Sequence, residues 1–383
     1  MPPRPPRPVR RMAPVHVVGL AATPFLPEQD AMLDELVFDV TYAALRECGL
    51  RKQDLGLSVM ASLDVLDGRS ISSGLYTAAA GGYLNDAFRI EGDSGLAVIA
   101  AAEAVAAGDV EVAVAVGVYN PEVRSADREA RRSFLAQVSN LGFEPHFDRP
   151  VGLTAEVVYA LHAAHTLESG GEDLDAFARL AAEEITRGSE RPRSVRTAPV
   201  TAQEVLASEQ VAAPLRELML PAHSTGAVAV VLASPARAGR CLGRSARITG
   251  FGHATGGYTW DGRWLSDPAA PTRRATRIAY GQAGISAAAE QVGLVELTAP
   301  TPALHAPYLG ALGLAASLGD KDVNASGGAR SNFPGLANGA LRLLEVVEQL
   351  ESRAGASTAV AHSVDTGTGL VSEDVSVLVV EAA

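Results

Sequence analysis

Short apolar runs alternate with amphipathic stretches along nearly the whole chain. Residues 16–20 (His-Val-Val-Gly-Leu) read as a strand. Residues 31–49 carry helical spacing, with Leu33, Leu36, Val37, Val40, Ala44 and Leu45 on one face, and stop at Gly49, a residue suited to a left-handed cap. Residues 57–61 form a second apolar run, and 94–107 predict a helix of small residues ending at Gly108. Residues 110–118 are apolar almost throughout, as in a strand buried on both faces. Helices are predicted over 152–170 and 173–188, and another buried strand over 227–232.

The order then recurs: strand 246–251, helix 270–283, strand 294–297, helix 336–350, strands 358–362 and 375–380. The strongest echo pairs 94–118 with 338–364, each a small-residue helix, a polar break and a Val/Ala strand. Such alternation implies βαβ units and a mixed or parallel sheet covered by helices. Two similar halves predict a duplicated α/β core, five-layered (αβαβα) where the halves pack together. The expected organisation is a disordered tail over 1–13, an N-terminal half over 14–235 and a C-terminal half over 236–383. The stretch 119–150 fits neither half and is expected to be an inserted lid or interface loop.

Composition narrows the function. The 383 residues are 47% hydrophobic and 20% charged, which allows a large core and excludes wholesale disorder. The net charge of −12 argues against nucleic acid or an anionic membrane surface as the main partner. Lys52 and Lys321 are the only lysines among 32 cationic residues, a sign of genome composition bias. Two cysteines, Cys48 and Cys241, form no CxxC or Cys/His cluster, so neither a structural metal nor a disulfide framework is expected, and a reducing, cytoplasmic setting fits. No uninterrupted apolar run reaches the ~18 residues of a membrane span. The Pro- and Arg-rich first dozen residues lack the apolar core of a secretion signal.

Several segments, in order, resemble the thiolase superfamily. Val17 to Phe25 (VVGLAATPF) is similar to its opening strand and turn. Glu103 to Val110 is similar to the helix end and strand after its nucleophile. Pro199-Val200-Thr201, residues 204–208 and Ala213-Pro214-Leu215 resemble its "PLT…DVLAS…PLR" stretch. Residues 226–234 (GAVAVVLAS) and Asn324-Ala325-Ser326-Gly327-Gly328 resemble its "GAAALVLAS" and "NPSGG" motifs. The match runs from about Val15 to Glu381, with lipid-transfer (sterol-carrier-type) thiolases the most similar. The resemblance implies a five-layered αβαβα fold, a dimer and an acyl-CoA thioester as substrate, with no further cofactor. It also implies a cysteine at a helix N-terminus, where the macrodipole lowers the thiolate pKa, a histidine that activates it, and an Asn/His oxyanion site.

Carried over residue by residue, the chemistry departs from that pattern. Aligning Ser94-Gly95 with the nucleophile motif puts Gly92 where the cysteine should stand. Asn332-Phe333-Pro334 answers to the "GHP" turn, so Phe333 replaces the histidine. In Val295-Glu296-Leu297-Thr298-Ala299, Thr298 takes the His or Asn position. Near the C-terminus, His362 answers to the His-Asn variant of the last motif. Asn324, Gly327 and Gly328 match the ligand-side turn. Cys48 reads as a small core residue and Cys241 as an incidental surface thiol.

The remaining candidates each carry two readings. Ser94 is a helix N-cap or a nucleophile in search of a base; Asp93 suits the same helix end electrostatically or acts as a base. His305 is a structural histidine or faces the substrate cavity. His362 and Asp365 either bond within a glycine turn or work as acid and base. His146 and Phe147 of the insertion are placed to reach a partner subunit's pocket. Arg273, Arg274 and Arg277, and Arg124, Arg128, Arg131 and Arg132, either solvate a surface or hold CoA phosphates. Two functions of different class follow. One is retro-aldol cleavage or formation of a C–C bond in an acyl-CoA or related acyl thioester, as in relatives that lack the cysteine and work with a small OB-fold partner. The other is a catalytically silent thiolase-like subunit, paired with an active condensing enzyme.

Overall fold

A computed structural model describes residues 12–67, 76–82, 85–121, 128–244, 246–256, 263–314, 323–353, 358–365 and 374–382. Eleven strands are described: β1 Val15–Ala22, β2 Leu57–Ala61, β3 Asp86–Ile90, β4 Val112–Tyr119, β5 Gln210–Ala212, β6 Leu215–Arg216, β7 Gly226–Ala233, β8 Ala246–Thr255, β9 Leu294–Leu297, β10 Thr358–Val364 and β11 Asp374–Ala382. The principal helices are α1 Leu33–Glu47, α2 Ser94–Ala107, α3 Arg128–Leu141, α4 Ala155–Glu168, α5 Leu174–Gly188, α6 Ala270–Ala283, α7 Pro302–Ala311 and α8 Asn338–Ser352.

Nine strands hydrogen-bond in the order β3-β2-β4-β7-β1-β8-β11-β10-β9, while β5 and β6 form a separate small ribbon. The pairing pattern occurs twice. In the first half, β3, β2 and β4 run parallel, and β7 and β1 follow antiparallel. In the second, Val323 bridges β9 in parallel, β9 and β10 run parallel, and β11 and β8 follow antiparallel. Among the described residues, the sheet halves pair through Val15–Val17 of β1 and Ala246–Ile248 of β8.

Side-chain alternation builds the layers. On β4, Ala113 and Ala115 face the central helices, whereas Val112, Val114, Val116 and Val118 face α1. On β10, Ala359 and Ala361 face the centre, whereas Val360 and Val364 face the outer helices. Helices α2 and α8 touch each other and strands of both halves, α1 covers β1 and β7, and α6 covers β8 and β11. The result is the expected five-layered α/β fold with α2 and α8 as its middle. Both middle helices are buried on most sides: α2 with small residues, α8 with leucines, valines and the polar side chains of Arg342 and Gln349.

The two central helices meet at their N-termini, through the pseudo-equivalent pairs Ser94-Gly95 and Asn338-Gly339. Asp93 caps both: Oδ1 accepts from Gly95 N at 2.8 Å and Oδ2 from Gly339 N at 3.0 Å. Ser94 Oγ accepts from Ala340 N at 2.9 Å, so the N-cap reading of this end falls to Asp93 and Ser94 reaches across to α8. Both glycines are required for contact. A Cβ on Gly95 would lie 2.0 Å from Ser376 Oγ, and one on Gly339 2.1 Å from Asp93 Oδ1.

Of the expected tail, residues 1–11 lie outside the described residues, and Met12 packs on the central core. The stretch read as an inserted loop contains α3, and Asp148–Arg149 turn back on Glu144. No helix among the described residues is long and apolar enough to cross a membrane.

Burial pushes the Asp93 carboxyl up from an ordinary 3.8 to about 6, although Ser363 and the two helix N–H groups pull the other way. The folded protein therefore holds this proton more tightly than the unfolded chain. Its stabilising contribution is complete below pH 4 and is lost as pH rises through 6, by about 3 kcal/mol. Urea titrations of the wild type and Asp93→Asn at pH 4, 5, 6 and 7 check this. Relative to the variant, the wild type should lose stability steadily across the range; a constant difference would refute a buried titrating carboxyl.

Candidate functional site

The mouth of α2 is a buried polar cluster. Beyond the two helix N–H groups, Asp93 Oδ1 accepts from Ser363 Oγ at 2.6 Å, and Ser363 Oγ lies 2.6 Å from Ser376 Oγ. Gly92 looks onto two further carboxylates: a Cβ there would lie 3.3 Å from Asp365 Oδ2 and 3.6 Å from Asp374 Oδ2. Asp374 Oδ1 lies 2.7 Å from His253 Nε2 and accepts from Thr255 Oγ1 at 3.1 Å. The helix end that the resemblance assigns to a thiolate is surrounded by carboxylates. Cys48 and Cys241 are elsewhere. Cys48 Sγ donates to the carbonyls of Ala44 and Leu45, and burial pushes its thiol up to about 11. Cys241, half-buried, donates to the Arg237 carbonyl.

Strand parity separates His362 from Asp365 and from Ser94, so the expected acid–base pair is split. The sequence reading ended the strand at 362, in a cavity-side loop. The strand runs on to Val364, and His362 shares the outward face with Val360 and Val364, while Ser363 faces Asp93. His362 Nε2 lies 3.2 Å from Thr272 Oγ1 on α6, and its ring tilts against Tyr308 on α7 at 5.2 Å. Burial pushes its pKa down to about 3, so the imidazole is neutral at physiological pH. Asp365, one residue past the strand, is buried beside Gly92, and its N–H donates to the Asp374 carbonyl at 2.8 Å. The remainder of that expected glycine turn, 366–369, lies outside the described residues. Thr298 is buried and accepts from Asn338 Nδ2 at 2.8 Å, which ties β9 to the start of α8.

The Asn324–Gly328 turn is structural in its contacts. Asn324 adopts φ 49°, accepts from Leu297 N at 2.6 Å and donates to Glu184 Oε1 at 2.7 Å. Gly327 and Gly328 have φ of 89° and 59°, and a Cβ on Gly327 would lie 2.0 Å from Ser331 Oγ. All three are buried against α5 and line no cavity described here. His305 is likewise drawn away from a substrate role. Its Nε2 lies 3.7 Å from Glu184 Oε1, in a buried cluster completed by the Arg330–Glu184 ion pair. Against burial, Arg330 and His305 hold the Glu184 carboxyl below the usual range.

A cavity of about 380 Å³ opens beside Phe333. Its walls come from the end of β4 (Tyr119, Asn120), from α3 (Arg132, Phe134, Leu135), from α4 (Glu156, Tyr159) and from the segments around Arg196, His223 and Phe333. Of the residues expected at the site, Phe333 and Arg132 line it. The Phe333 N–H donates to the Ala222 carbonyl at 2.8 Å, and Ser224 N donates to the Phe333 carbonyl at 3.2 Å. This stitching sets the His223 and Phe333 rings edge to face at 5.3 Å.

Two groups on α4, one turn apart, border the same space. Burial raises the Glu156 carboxyl, opposed by Arg132, whose Nε lies 3.9 Å away. Tyr159 is buried, and its hydroxyl has no hydrogen-bond partner among the described residues. Burial, then Tyr308 and Asp365, push its pKa far above 10, so the phenol stays neutral. Arg196 is engaged by the carbonyls of Leu220 and Arg330. Of the two arginine clusters, Arg124 lies outside the described residues, Arg132 pairs with Glu209 at 3.1 Å, Arg273 pairs with Asp267 and Arg274 donates to the Thr255 carbonyl. His146 Nδ1 lies 2.9 Å from Glu144, and Phe147 is 79% exposed. No group of three His, Cys, Asp or Glu suited to a metal occurs among the described residues.

Sequence reasoning thus missed most of the cavity: Tyr119, Asn120, Glu156, Tyr159, Arg196 and His223 come from separate segments with no shared local pattern. Two signals were available: Phe333, and the stretch 119–150 read as a lid or interface loop, which contributes Tyr119, Asn120, Arg132, Phe134 and Leu135 to the walls.

The architecture matches solved structures along its full length. An Ltp2–ChsH2(DUF35) aldolase superposes with a TM-score of 0.75 at 20% identity, covering 96% of this chain and 98% of the other. The acetyl-CoA acetyltransferase of Bacillus anthracis gives 0.70 at 16% identity, covering 98% and 100%. Human mitochondrial 3-ketoacyl-CoA thiolase in complex with CoA gives 0.73 at 15% identity, with the same coverage. No family model and no curated protein matches the chain. By fold this is a thiolase-like protein.

The carboxylates around Gly92 predict the behaviour of a restored thiol. In Gly92→Cys, Asp365 and Asp374 disfavour the thiolate and raise its pKa by about one unit or more. Iodoacetamide at pH 8 should therefore alkylate it about tenfold more slowly than free cysteine. Acetoacetyl-CoA thiolysis should stay absent. Fast alkylation with recovered thiolysis would mean that this helix end still activates sulfur.

Proposed function

We propose that the protein acts on an acyl-CoA or related acyl thioester held in the cavity beside Phe333, without an acyl-enzyme, in retro-aldol C–C bond cleavage or its reverse. The observation that carries this is the mouth of α2. Gly92 offers no side chain, and its surroundings are Asp93, Asp365 and Asp374, which oppose a thiolate there. Retro-aldol chemistry needs no tether, only a proton acceptor for a β-hydroxyl and hydrogen-bond donors for the enolate that forms. The cavity borders on ionisable and hydroxyl groups suited to that task. The likeness to an aldolase whose name includes a DUF35 component supports the same class of reaction and a separate partner protein; the proposed partner is a small OB-fold protein, and the proposed assembly contains two copies of this chain.

One feature favours the second reading, a silent subunit beside an active condensing enzyme. Phe333 narrows the cavity, and Asp93 takes up the helix N–H groups that an oxyanion would use.

The test is a panel of 3-hydroxyacyl-CoA thioesters, incubated with the chain alone and with its co-purifying partner. Expected are a shortened acyl-CoA and a free aldehyde or ketone, with the intact mass of the protein unchanged. An acyl adduct on this polypeptide would overturn the reading. Absence of product with every thioester, with activity confined to a cysteine-bearing partner, would establish the silent subunit.

A further inference from the structure

We propose that His223 is the proton-transferring base of this cavity, a reading that rests on the retro-aldol function above. Four observations converge on it. His223 is the one histidine that lines the cavity among the described residues, and it is exposed to it. The histidines expected at the site lie away from this cavity: His362 faces Thr272 on α6, and His305 faces Glu184. Its backbone is fixed by the short parallel pairing with Phe333. In such a pairing the two side chains share a face about 4.8 Å apart, and the ring contact at 5.3 Å confirms that they do. Phe333 therefore acts as a platform that holds the imidazole edge-on in the wall.

The step balances without a cofactor. An imidazole nitrogen of His223 takes the proton of the substrate's β-hydroxyl. The freed oxygen electrons form the new C=O as the Cα–Cβ bond breaks. The electron pair of that bond passes to the α-carbon and is shared with the thioester oxygen as an enolate. The imidazolium returns its proton to the α-carbon, which leaves an aldehyde or ketone and the shortened thioester. Glu156 and the neutral Tyr159 phenol border the same space.

His223→Ala is the decisive variant, because an exposed wall residue can be removed without emptying a core. With 3-hydroxyacyl-CoA as substrate, kcat should fall by about 100-fold or more, with KM little changed. Added imidazole should restore part of the loss, a rescue that a structural role would not show. Equal turnover by variant and wild type would overturn the proposal and leave the retro-aldol reading intact. A separate measurement needs no turnover. In protein labelled with ¹³C-histidine, the resonance missing from His223→Ala should move when S-(3-hydroxybutyl)-CoA is added, a thioether that keeps the hydroxyl and lacks the carbonyl. Movement in a wild type that turns over nothing would sink the reaction and keep His223 in the ligand site. A resonance that stays in place would overturn the assignment of His223.

Discussion

Two helices whose N-termini meet in a buried layer bring together about eight N–H groups without intrahelical partners and two positive dipole ends. One anion placed between them answers both problems, and Asp93 is that anion. Its two oxygens divide the work, one to Gly95 and one to Gly339, and Ser94 completes the junction from the other strand of the exchange. The glycines that follow each helix start are fixed by the same contact, because a Cβ on either would enter the junction. Among the described residues, the duplicated sheet halves pair through the three-residue meeting of β1 with β8. The central helices and this carboxylate add to that meeting, as do ion pairs across the halves such as Arg330–Glu184 and Arg193–Glu345.

The same constraint shapes the chemistry. Helix N–H groups committed to Asp93 cannot also stabilise an oxyanion, and the neighbouring Asp365 and Asp374 make the region hostile to further negative charge. The ionisable groups that line the cavity come instead mostly from α3, α4 and the segment before β7. Site and scaffold have become separable. The middle layer holds the halves together, and the walls that carry reactive groups come from the stretch between β4 and β7, apart from Phe333, Gly335, Pro300 and a few residues after β1.

Much of the fold was legible because burial imposes a period on the sequence. Helices α2, α5 and α6, and strands β2 and β9, lie within a residue or so of their expected limits. The edge strand β3 went unread because its side chains are half exposed, so nothing enforces an apolar run. Helix α3 begins with charged residues and α7 contains Pro307, both of which mask a helical signal. The site was less legible for two reasons. A strand end misplaced by two residues hid that His362 faces α6, since parity decides the face. The cavity is assembled from residues as distant as Tyr119 and Phe333, and the pairing of His223 with Phe333 joins segments more than a hundred positions apart. Such a contact leaves no mark in local spacing.

Glycine at position 92 has one more effect. A thiolate at a helix mouth is what peroxide converts to sulfenic and higher acids, with loss of the nucleophile. This chain exposes no such group there, and its remaining interior thiol, Cys48, is capped by two carbonyls and kept protonated. The central junction is thus built from oxygen and nitrogen alone, and oxidative stress that silences a sulfur-based relative finds nothing in it to react with.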